Sequence, residues 1–393
     1  MYVNLDLPWA LRQKKRTLKR LREMKWVLVF TAMLQVSLSL RFPAGGSLLM
    51  DHLNINHEKG RHDVLRAFYF VTLGLAMDPR KLENAEKGRK TLWANCGLSP
   101  TQFHLPEADS AQVFDGVITL SLTGRTAQND FSALLKRLES PPAVLSNTFY
   151  SFKQQSNEEV SVRDPWGNIF RVLQDPGAFD PRGEQPGGAT AALMPCTLSD
   201  LTVHVSSAQK LPGIARFYQK VFNTPVVAGL GLQSSTPSSS SSSSSSDFVS
   251  VAMSPYQTLT FKCRPTTGTG FQGGPLAHSH DVLDLDQAGN IVANSGPHIS
   301  MYVSEFSNAY QRGAALGAIF TNTRFKRQAF NLDDAREQSM FRVLRIVDPA
   351  DPDPKTAEPL LMLEHEVRSV LGKDGKSLYK SCPFKEVPAD YVW

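Results

Sequence analysis

Imidazole and carboxylate side chains recur in this sequence on short segments that alternate between apolar and polar residues. They are His52 in "HLNIN", His104 in "QFHLPE", Asp115 before "GVITLSL", His298 in "HISMYV" and Glu364 in "PLLMLEHEV". Both groups bind divalent cations such as Fe, Mn, Zn or Ni, and both can transfer protons. A single histidine on a strand is more often a hydrogen-bonded structural residue. The arrangement of the strands therefore decides whether these side chains form a site.

The segments that carry these residues belong to a repeated order of elements. "HLNIN" precedes "HDVLRAFYFVTLGL", in which apolar residues recur at helical spacing, and "DLTVHV" at 200–205 precedes "LPGIARFYQKVF" in the same way. The aromatic pair Phe68-Tyr69 matches Phe217-Tyr218. Each of these helices is followed by three strand-like runs, so the sequence predicts a repeated strand-helix-strand-strand-strand unit.

A second unit follows in each half of the chain. "DGVITLSL" and "HISMYV" each lead into an amphipathic helical segment and then into further strands. The prediction is an α+β fold with four units, grouped into a first domain at 50–175 and a second at 199–368. Residues 176–198 are predicted to be a linker, and the serine run at 234–246 an insert without core-forming residues. Residues 1–49 and 369–393 are predicted to be terminal segments.

Composition excludes some classes of function. The formal net charge of +5 is concentrated in basic residues between positions 12 and 25, which leaves the body of the chain near neutral, so no nucleic-acid partner is expected. The four cysteines form no C-x-x-C pair, which argues against a zinc ribbon or a redox dithiol. A small molecule is the expected partner, and the sequence does not define an oligomeric state.

The amino-terminal region has two interpretations. From Met24, "MKWVLVFTAMLQVSLSL" has the basic start, apolar run and small residues of a secretory signal peptide. The alternative is a basic amphipathic helix that contacts a membrane or the targeting machinery. The first interpretation places the protein in the secretory pathway or an organelle, and without a signal it is cytoplasmic.

The paired units resemble those of the vicinal oxygen chelate superfamily, which includes glyoxalase I, extradiol dioxygenases and bleomycin-resistance proteins. The resemblance covers roughly residues 50–368 and is carried by "DHLNIN" before an "R-x-FY" helix, by "QFHLPE" and by "DPWGN" before an apolar strand. It implies tandem domains, each with paired βαβββ modules that form a cup-shaped mixed sheet with flanking helices. It also implies a pocket lined from strands one, four, five and eight, where a divalent metal can bind.

Carried onto the first domain, the resemblance leaves two hypotheses. His52, His104 and Asp115 take ligand positions, but Arg171 stands where the superfamily usually has a glutamate. Either the three residues hold a metal with Arg171 turned aside, or the pocket is metal-free and Arg171 binds an anionic group or pairs with Asp115. The second hypothesis is preferred, because a guanidinium repels a nearby cation and a buried arginine needs an anionic partner.

In the second domain the resemblance implies a set of two histidines and one carboxylate, formed by His204, His298 and Glu364. Asp200 is an alternative to His204 on the first strand of that domain. Glu364 is then a metal ligand or, in a lyase-type reaction, the catalytic base.

Two functions follow, and the sequence does not decide between them. One is a metal-dependent lyase or an extradiol-type dioxygenase that acts in the second domain. The other is a non-catalytic protein with degenerate metal sites that binds or sequesters a small molecule. The residues expected to contact that molecule are Asn54, Asn56, His104, Arg171 and Tyr302.

Overall fold

The computed structural model describes residues 42–43, 45–81, 87, 91–123, 126–180, 182, 194–229, 247–264, 277, 279–280, 297–323 and 325–393. The segment from Met24 to residue 41, most of the predicted linker and the serine run at 234–246 lie outside these ranges, so the structure does not support the predicted signal peptide. Within the described ranges, no helix is both long enough and apolar enough to span a bilayer.

The described chain forms four modules, each of which begins with a strand followed by a helix. Module 1 contains β1 (Ser47–Asn54), β2 (His57–Glu58), α1 (His62–Arg66), a π-helical turn (Ala67–Thr72), β3 (Ala76–Met77), β4 (Thr91–Asn95) and β5 (Gln102–Ala108). Module 2 contains β6 (Gly116–Leu122), α2 (Ala127–Glu139), β7 (Ser151–Gln154), β8 (Glu159–Arg163) and β9 (Ile169–Gln174). Short 3-10 turns lie at Ala143–Leu145, Pro176–Ala178 and Ala208–Lys210.

The second half of the chain forms modules 3 and 4, which also begin with a strand followed by a helix. Module 3 contains β10 (Thr197–Val205), α3 (Leu211–Phe222), β11 (Val226–Gly229), β12 (Phe248–Ser254) and β13 (Gln257–Cys263). Module 4 contains β14 (His298–Val303), α4 (Phe306–Ala315), α5 (Leu332–Gln338), β15 (Met340–Ile346) and β16 (Leu361–Arg368).

The modules combine into two mixed eight-stranded sheets, which confirms the predicted α+β fold. Sheet 1 joins modules 1 and 4 in the order β15-β16-β14-β1-β5-β4-β3, with β2 beside β5. Sheet 2 joins modules 2 and 3 in the order β11-β12-β13-β10-β6-β9-β8-β7. Each sheet therefore takes one module from 50–175 and one from 199–368, and the described residues from Phe42 onward form one compact unit.

An antiparallel strand pair lies at the centre of each sheet. β1 pairs with β14 in sheet 1, and β10 pairs with β6 in sheet 2. Each of these strands has a parallel partner from its own module on its other side. The first strand of every module is therefore central, so its side chains are buried on both faces of the sheet.

The aromatic pair of each repeated helix fills the core. Phe68, Tyr69, Phe217 and Tyr218 are almost completely buried. The Tyr218 ring packs on Phe261 of sheet 2, and its hydroxyl donates to His365 Nε2 of sheet 1 over 2.7 Å. Helix α3 is thus fixed to both sheets by one side chain.

The segment "DPWGN" forms a closed turn before β9. Asp164 Oδ1 accepts hydrogen bonds from the backbone N–H groups of Trp166, Gly167 and Asn168, and Gly167 adopts a φ of 113°. Backbone donors of the turn are satisfied by one buried carboxylate, and the left-handed position requires glycine. The motif therefore shapes the chain and supplies no side chain to the cleft described below.

Gln257, fully buried at the start of β13, connects the two sheets. Its Nε2 donates to Thr101 Oγ1 over 2.9 Å and to the Met50 carbonyl over 3.2 Å. Its Oε1 accepts from the Met50 N–H over 3.1 Å. Met50 and Thr101 belong to module 1, so this amide satisfies buried polar groups of sheet 1 from a strand of sheet 2.

We expect Gln257→Leu to lower the free energy of unfolding by about 3 kcal/mol, because it leaves buried donors and acceptors without partners. Urea denaturation checks this value. Gln128→Leu, on the exposed face of α2, is the matched control and should change the free energy by less than about 0.5 kcal/mol. Equal effects of the two substitutions would contradict the role given to Gln257.

Candidate functional site

The strand register of sheet 1 brings polar residues from five strands into one row. Gln102 of β5 lies opposite His52 of β1, His52 opposite Ser300 of β14, and Ser300 opposite Glu366 of β16. Arg342 of β15 lies opposite Glu366. Directly paired residues share a face of the sheet. The row thus joins side chains that are far apart in sequence.

Four residues of this row, Gln102, His52, Glu366 and Arg342, line a cleft of about 350 Å³. We call it the sheet 1 cleft. Its lining residues are Asp51, His52, Asn54, Arg80, Trp93, Gln102, His104, His298, Phe325, Lys326, Arg327, Met340, Arg342, Glu366, Arg368, Tyr379 and Ser381.

One wall of the cleft is a stack of rings. His104 packs between Trp93, at 4.0 Å between ring centroids and an interplanar angle of 6°, and His52, at 3.6 Å and 20°. His52 Nδ1 donates to Asp51 Oδ2 over 2.8 Å, which orients the ring. Burial, assisted by Arg368 for His52 and by His52 itself for His104, lowers the pKa of both imidazoles well below the usual value. Both rings are therefore neutral at neutral pH.

Strand β16 carries two buried carboxylates, Glu364 and Glu366, that are already paired; of the two, Glu366 lines the cleft. The Arg342 guanidinium donates to both Glu364 and Glu366, and Arg368 donates to Glu366 over 2.7 Å and to Asp51 over 3.1 Å. Burial acts to raise the pKa of Glu366, but Arg368 and Arg342 outweigh it and hold that pKa well below the usual value. Glu366 is therefore ionised, and guanidiniums bind oxygens of both Glu364 and Glu366.

These residues do not fit the divalent metal that the superfamily resemblance implies. A cation at Glu364 or Glu366 would lie beside one or two guanidiniums and would be repelled by them. Among the described residues, the group of three possible ligands within 4.8 Å of one another is His57, His62 and Glu107, outside this cleft. A possible His/Glu metal cluster is thus present, at residues the sequence had not indicated.

The architecture can now be compared with known proteins. No protein-family model matches the sequence, and no curated protein matches it. Solved structures that resemble it include a Bacillus subtilis protein provisionally named a dioxygenase, with 13% identity over 87% of this chain and 92% of that chain and a TM-score of 0.43. Another is glyoxalase I from Zea mays, with 11% identity over 83% and 92% and a TM-score of 0.41.

The four modules of the α+β fold follow one another in the order that the sequence predicted. The comparisons assign no activity to the chain. In this fold, the pairing of module 1 with module 4 decides which of the predicted residues meet.

The predicted second-domain metal set is not assembled. His298 lies in the sheet 1 cleft, next to Glu364 on the neighbouring strand, and a buried ring nitrogen, Nδ1, has no hydrogen-bond partner among the described residues. His204 instead lies in β10 of sheet 2, where its Nδ1 contacts Asp115 Oδ1 at 3.2 Å. The set is separated because modules 3 and 4 belong to different sheets.

The alternative first-domain set is divided in the same way. His52 and His104 stack in the sheet 1 cleft, whereas Asp115 precedes β6 of sheet 2 and pairs with His204 and Arg264. These three residues therefore do not lie on one sheet, since modules 1 and 2 do not share a sheet.

Arg171 does not pair with Asp115. It is exposed on β9 of sheet 2 and forms two 2.8 Å hydrogen bonds with the Glu159 carboxylate. In the register of sheet 2, Arg171 lies opposite Thr119, which lies opposite Asp200. Asp200 accepts hydrogen bonds from Thr202, Thr258 and Thr260. Binding of a substrate by Arg171 is untested.

The remaining predicted contact residues divide between the cleft and its surroundings. Asn54 and His104 line the cleft. Asn56 lies beside it and accepts a hydrogen bond from Asn54 Nδ2 over 3.3 Å. Tyr302 is completely buried in a small cluster with Leu49, Val370 and Cys382. It is covered by the carboxyl-terminal segment, whose Ser381 carbonyl accepts from the Tyr302 hydroxyl.

Sequence reasoning missed the arginines and the covering segment. Arg368 continues the alternation of Glu364 and Glu366 on β16, and this charge alternation was the available signal. Arg342 lies on the neighbouring strand β15, opposite Glu366. Tyr379 and Ser381 come from residues 369–393, which were predicted to be a terminal tail. No periodicity in that segment could indicate that it packs on sheet 1.

The buried histidines predict a pH dependence of stability. Burial is the main cause that lowers the pKa of both His298 and His365 to about 4. The unfolded chain binds these protons near pH 6.5. Between pH 6.5 and about 4 the unfolded state therefore holds more protons, so stability falls as the pH falls, by up to about 1.4 kcal/mol per pH unit for each histidine.

Two substitutions at one hydrogen bond check this dependence. His365→Phe and Tyr218→Phe both remove the Tyr218–His365 bond, but only His365→Phe removes the titrating ring. We expect the slope of unfolding free energy between pH 6 and 5 to decrease by about 1 kcal/mol per pH unit in His365→Phe. Tyr218→Phe should retain most of the slope. Urea denaturation at each pH measures both, and identical slopes would contradict the assignment.

Proposed function

We propose that the sheet 1 cleft binds a small anionic molecule with an apolar body, and that this binding does not require a metal in the cleft. The observation that carries the proposal is the charge of the lining. Arg80, Lys326, Arg327, Arg342 and Arg368 supply five cations. The carboxylates that pair with three of them are Asp51, Asp78, Glu364 and Glu366, so the cations exceed the carboxylates by one. With the lining imidazoles His52, His104 and His298 neutral, this excess of positive charge favours an anion.

Two of the cations are available at the mouth of the cleft. Lys326 is exposed and Arg327 is partly exposed, and neither forms an ion pair with a described residue. The Arg327 guanidinium lies 5.3 Å from the ring centre of Tyr379. An aromatic surface restricts the side chain without neutralising its charge. An anion at the mouth can therefore be bound without breaking an existing pair.

The base of the cleft offers a fixed donor. Arg342 is buried and held by Glu364 and Glu366 through its terminal nitrogens, while its Nε has no hydrogen-bond partner among the described residues. The guanidinium also lies 4.1 Å from the ring centre of Phe325. A ligand oxygen that accepts from this Nε would satisfy a buried donor, which is energetically favourable.

Apolar side chains supply the rest of the contact surface. Trp93, Phe325, Met340 and Tyr379 line the cleft together with the cations. Apolar walls with a few placed polar groups are typical of small-molecule sites. A ligand with a carboxylate or similar anionic group on a flat hydrophobic body matches both parts of this lining.

The metal-dependent lyase or dioxygenase reaction has less support from the geometry. Its predicted ligand set requires an oxygen of Glu364, and this carboxylate already accepts a hydrogen bond from Arg342. The cleft does hold an imidazole that could transfer a proton, since His52 lines it and is oriented by Asp51 through Nδ1. Binding is therefore the function proposed, and the test below includes the metal-dependent alternative.

Binding of 2-naphthoate, measured by isothermal titration calorimetry, tests the proposal. The uncharged 2-naphthamide is the matched ligand, and we expect it to bind at least tenfold more weakly, since a charge-assisted hydrogen bond contributes about 1.5–3 kcal/mol. The double variant Lys326→Gln/Arg327→Gln should lose about tenfold in affinity for 2-naphthoate. Arg171→Gln, an exposed arginine of sheet 2, is the control and should bind as the parent does.

The same titration with a chelator separates the two functions. Affinity that EDTA leaves unchanged supports metal-free binding. Affinity that EDTA abolishes and that Fe²⁺, Mn²⁺, Zn²⁺ or Ni²⁺ restores would favour the metal-dependent alternative. Equal affinities for naphthoate and naphthamide, or an equal loss in Arg171→Gln, would overturn the proposal.

A further inference from the structure

A second cluster of metal-ligand side chains lies outside the sheet 1 cleft, where β2 meets the end of β5. It consists of His57 on β2, His62 at the first position of α1 and Glu107 on β5. β2 and β5 pair in parallel, which places His57 beside Glu107. The turn between β2 and α1, with Gly60 at a φ of 78°, brings His62 back over the same two strands.

The spacing of the three groups suits one cation. One possible ligand atom from each residue lies within 4.8 Å of the other two. His62 Nε2 and Glu107 Oε1 are 3.5 Å apart, and ligands of a tetrahedral zinc ion with bonds of 2.0–2.1 Å are about 3.3 Å apart. The Gly60 N–H donates to Glu107 Oε1 over 3.0 Å and orients the carboxylate.

The buried histidine of the cluster lacks the partners that burial requires. His57 is only 1% exposed, and neither ring nitrogen forms a hydrogen bond of acceptable geometry with a described residue. Buried imidazole nitrogens are normally bonded, so two unsatisfied ones in one ring point to a missing ligand.

We propose that His57, His62 and Glu107 form a binding site for a divalent cation of the zinc type. Two imidazoles and one carboxylate supply three ligands, and water takes the fourth position on the exposed side, where the His62 side chain is 28% accessible. The cation joins β2, α1 and β5 of module 1. It also lies beside module 2, because the His57 and Trp166 ring centres are 5.9 Å apart.

This site is separate from the cleft proposed for the small anion. Glu107 follows Phe103 and Leu105 in the alternation of β5, and both of those side chains are buried in the core, whereas Gln102 and His104 line the cleft. Glu107 therefore points to the face of β5 opposite to the one that lines the cleft. The two proposals can be tested independently.

Titration of the full, untagged, EDTA-treated chain with Co²⁺ tests the site. The visible d–d absorption of bound Co²⁺ reports its ligands, and Zn²⁺ should displace it. We expect one equivalent to bind, with the affinity at least tenfold lower in Glu107→Gln and the absorption lost in His62→Gln. Both residues are partly exposed, so circular dichroism should show an unchanged fold in these variants.

His298→Gln is the matched control, because it removes an imidazole from the sheet 1 cleft and leaves the cluster intact. Unchanged Co²⁺ binding in this variant, together with the losses above, supports the proposal. Binding that is lost in His298→Gln but retained in His62→Gln would place the metal in the cleft. That result, or no binding of Co²⁺ or Zn²⁺ by the parent chain, would overturn the proposal.

Discussion

The antiparallel pairing of β1 with β14 is the constraint on which the candidate site depends. It places Asn54 directly opposite His298 and His52 opposite Ser300, although about two-thirds of the chain separates these strands. On its other side, β1 pairs with β5 in parallel, and β14 pairs in parallel with β16, which in turn pairs with β15. The row from Gln102 to Arg342 follows from this register. A shift of one residue in this pairing would turn every polar side chain of β1 away from the cleft.

Buried charge explains the chemistry that the cleft permits. Glu364, Glu366 and Asp51 are almost completely buried, and carboxylates in such positions must be paired or coordinated. Here the partners are Arg342 and Arg368, which are supplied by the same module as the two glutamates. The arginines balance the charge of these buried carboxylates, and the cations that line the cleft still exceed the carboxylates around it.

The two sheets share one arrangement of strands but carry different side chains at equivalent positions. A strand irregularity between Met50 and His52 in β1 has its counterpart between Leu198 and Asp200 in β10, which makes His52 and Asp200 equivalent. In the same comparison Arg171 takes the place of Glu366. Asp200 is satisfied by threonine hydroxyls, and burial raises its pKa despite them. Among the residues that the structure describes, sheet 2 thus has neither the ring stack nor the arginine-bridged carboxylates of sheet 1.

The sequence by itself determined the local parts of this protein. Alternation, helical spacing and the Phe-Tyr pairs predict the four modules, because these patterns reflect burial within single elements. His52, His104, His298 and Glu364 could likewise be assigned to strands that present them on one face. Only the tertiary structure decided that module 1 pairs with module 4, which separates His204 and Asp115 from the cleft. The physical reason is that strand alternation fixes which face a side chain takes, whereas the choice of partner strand depends on contacts between distant modules that no local pattern records.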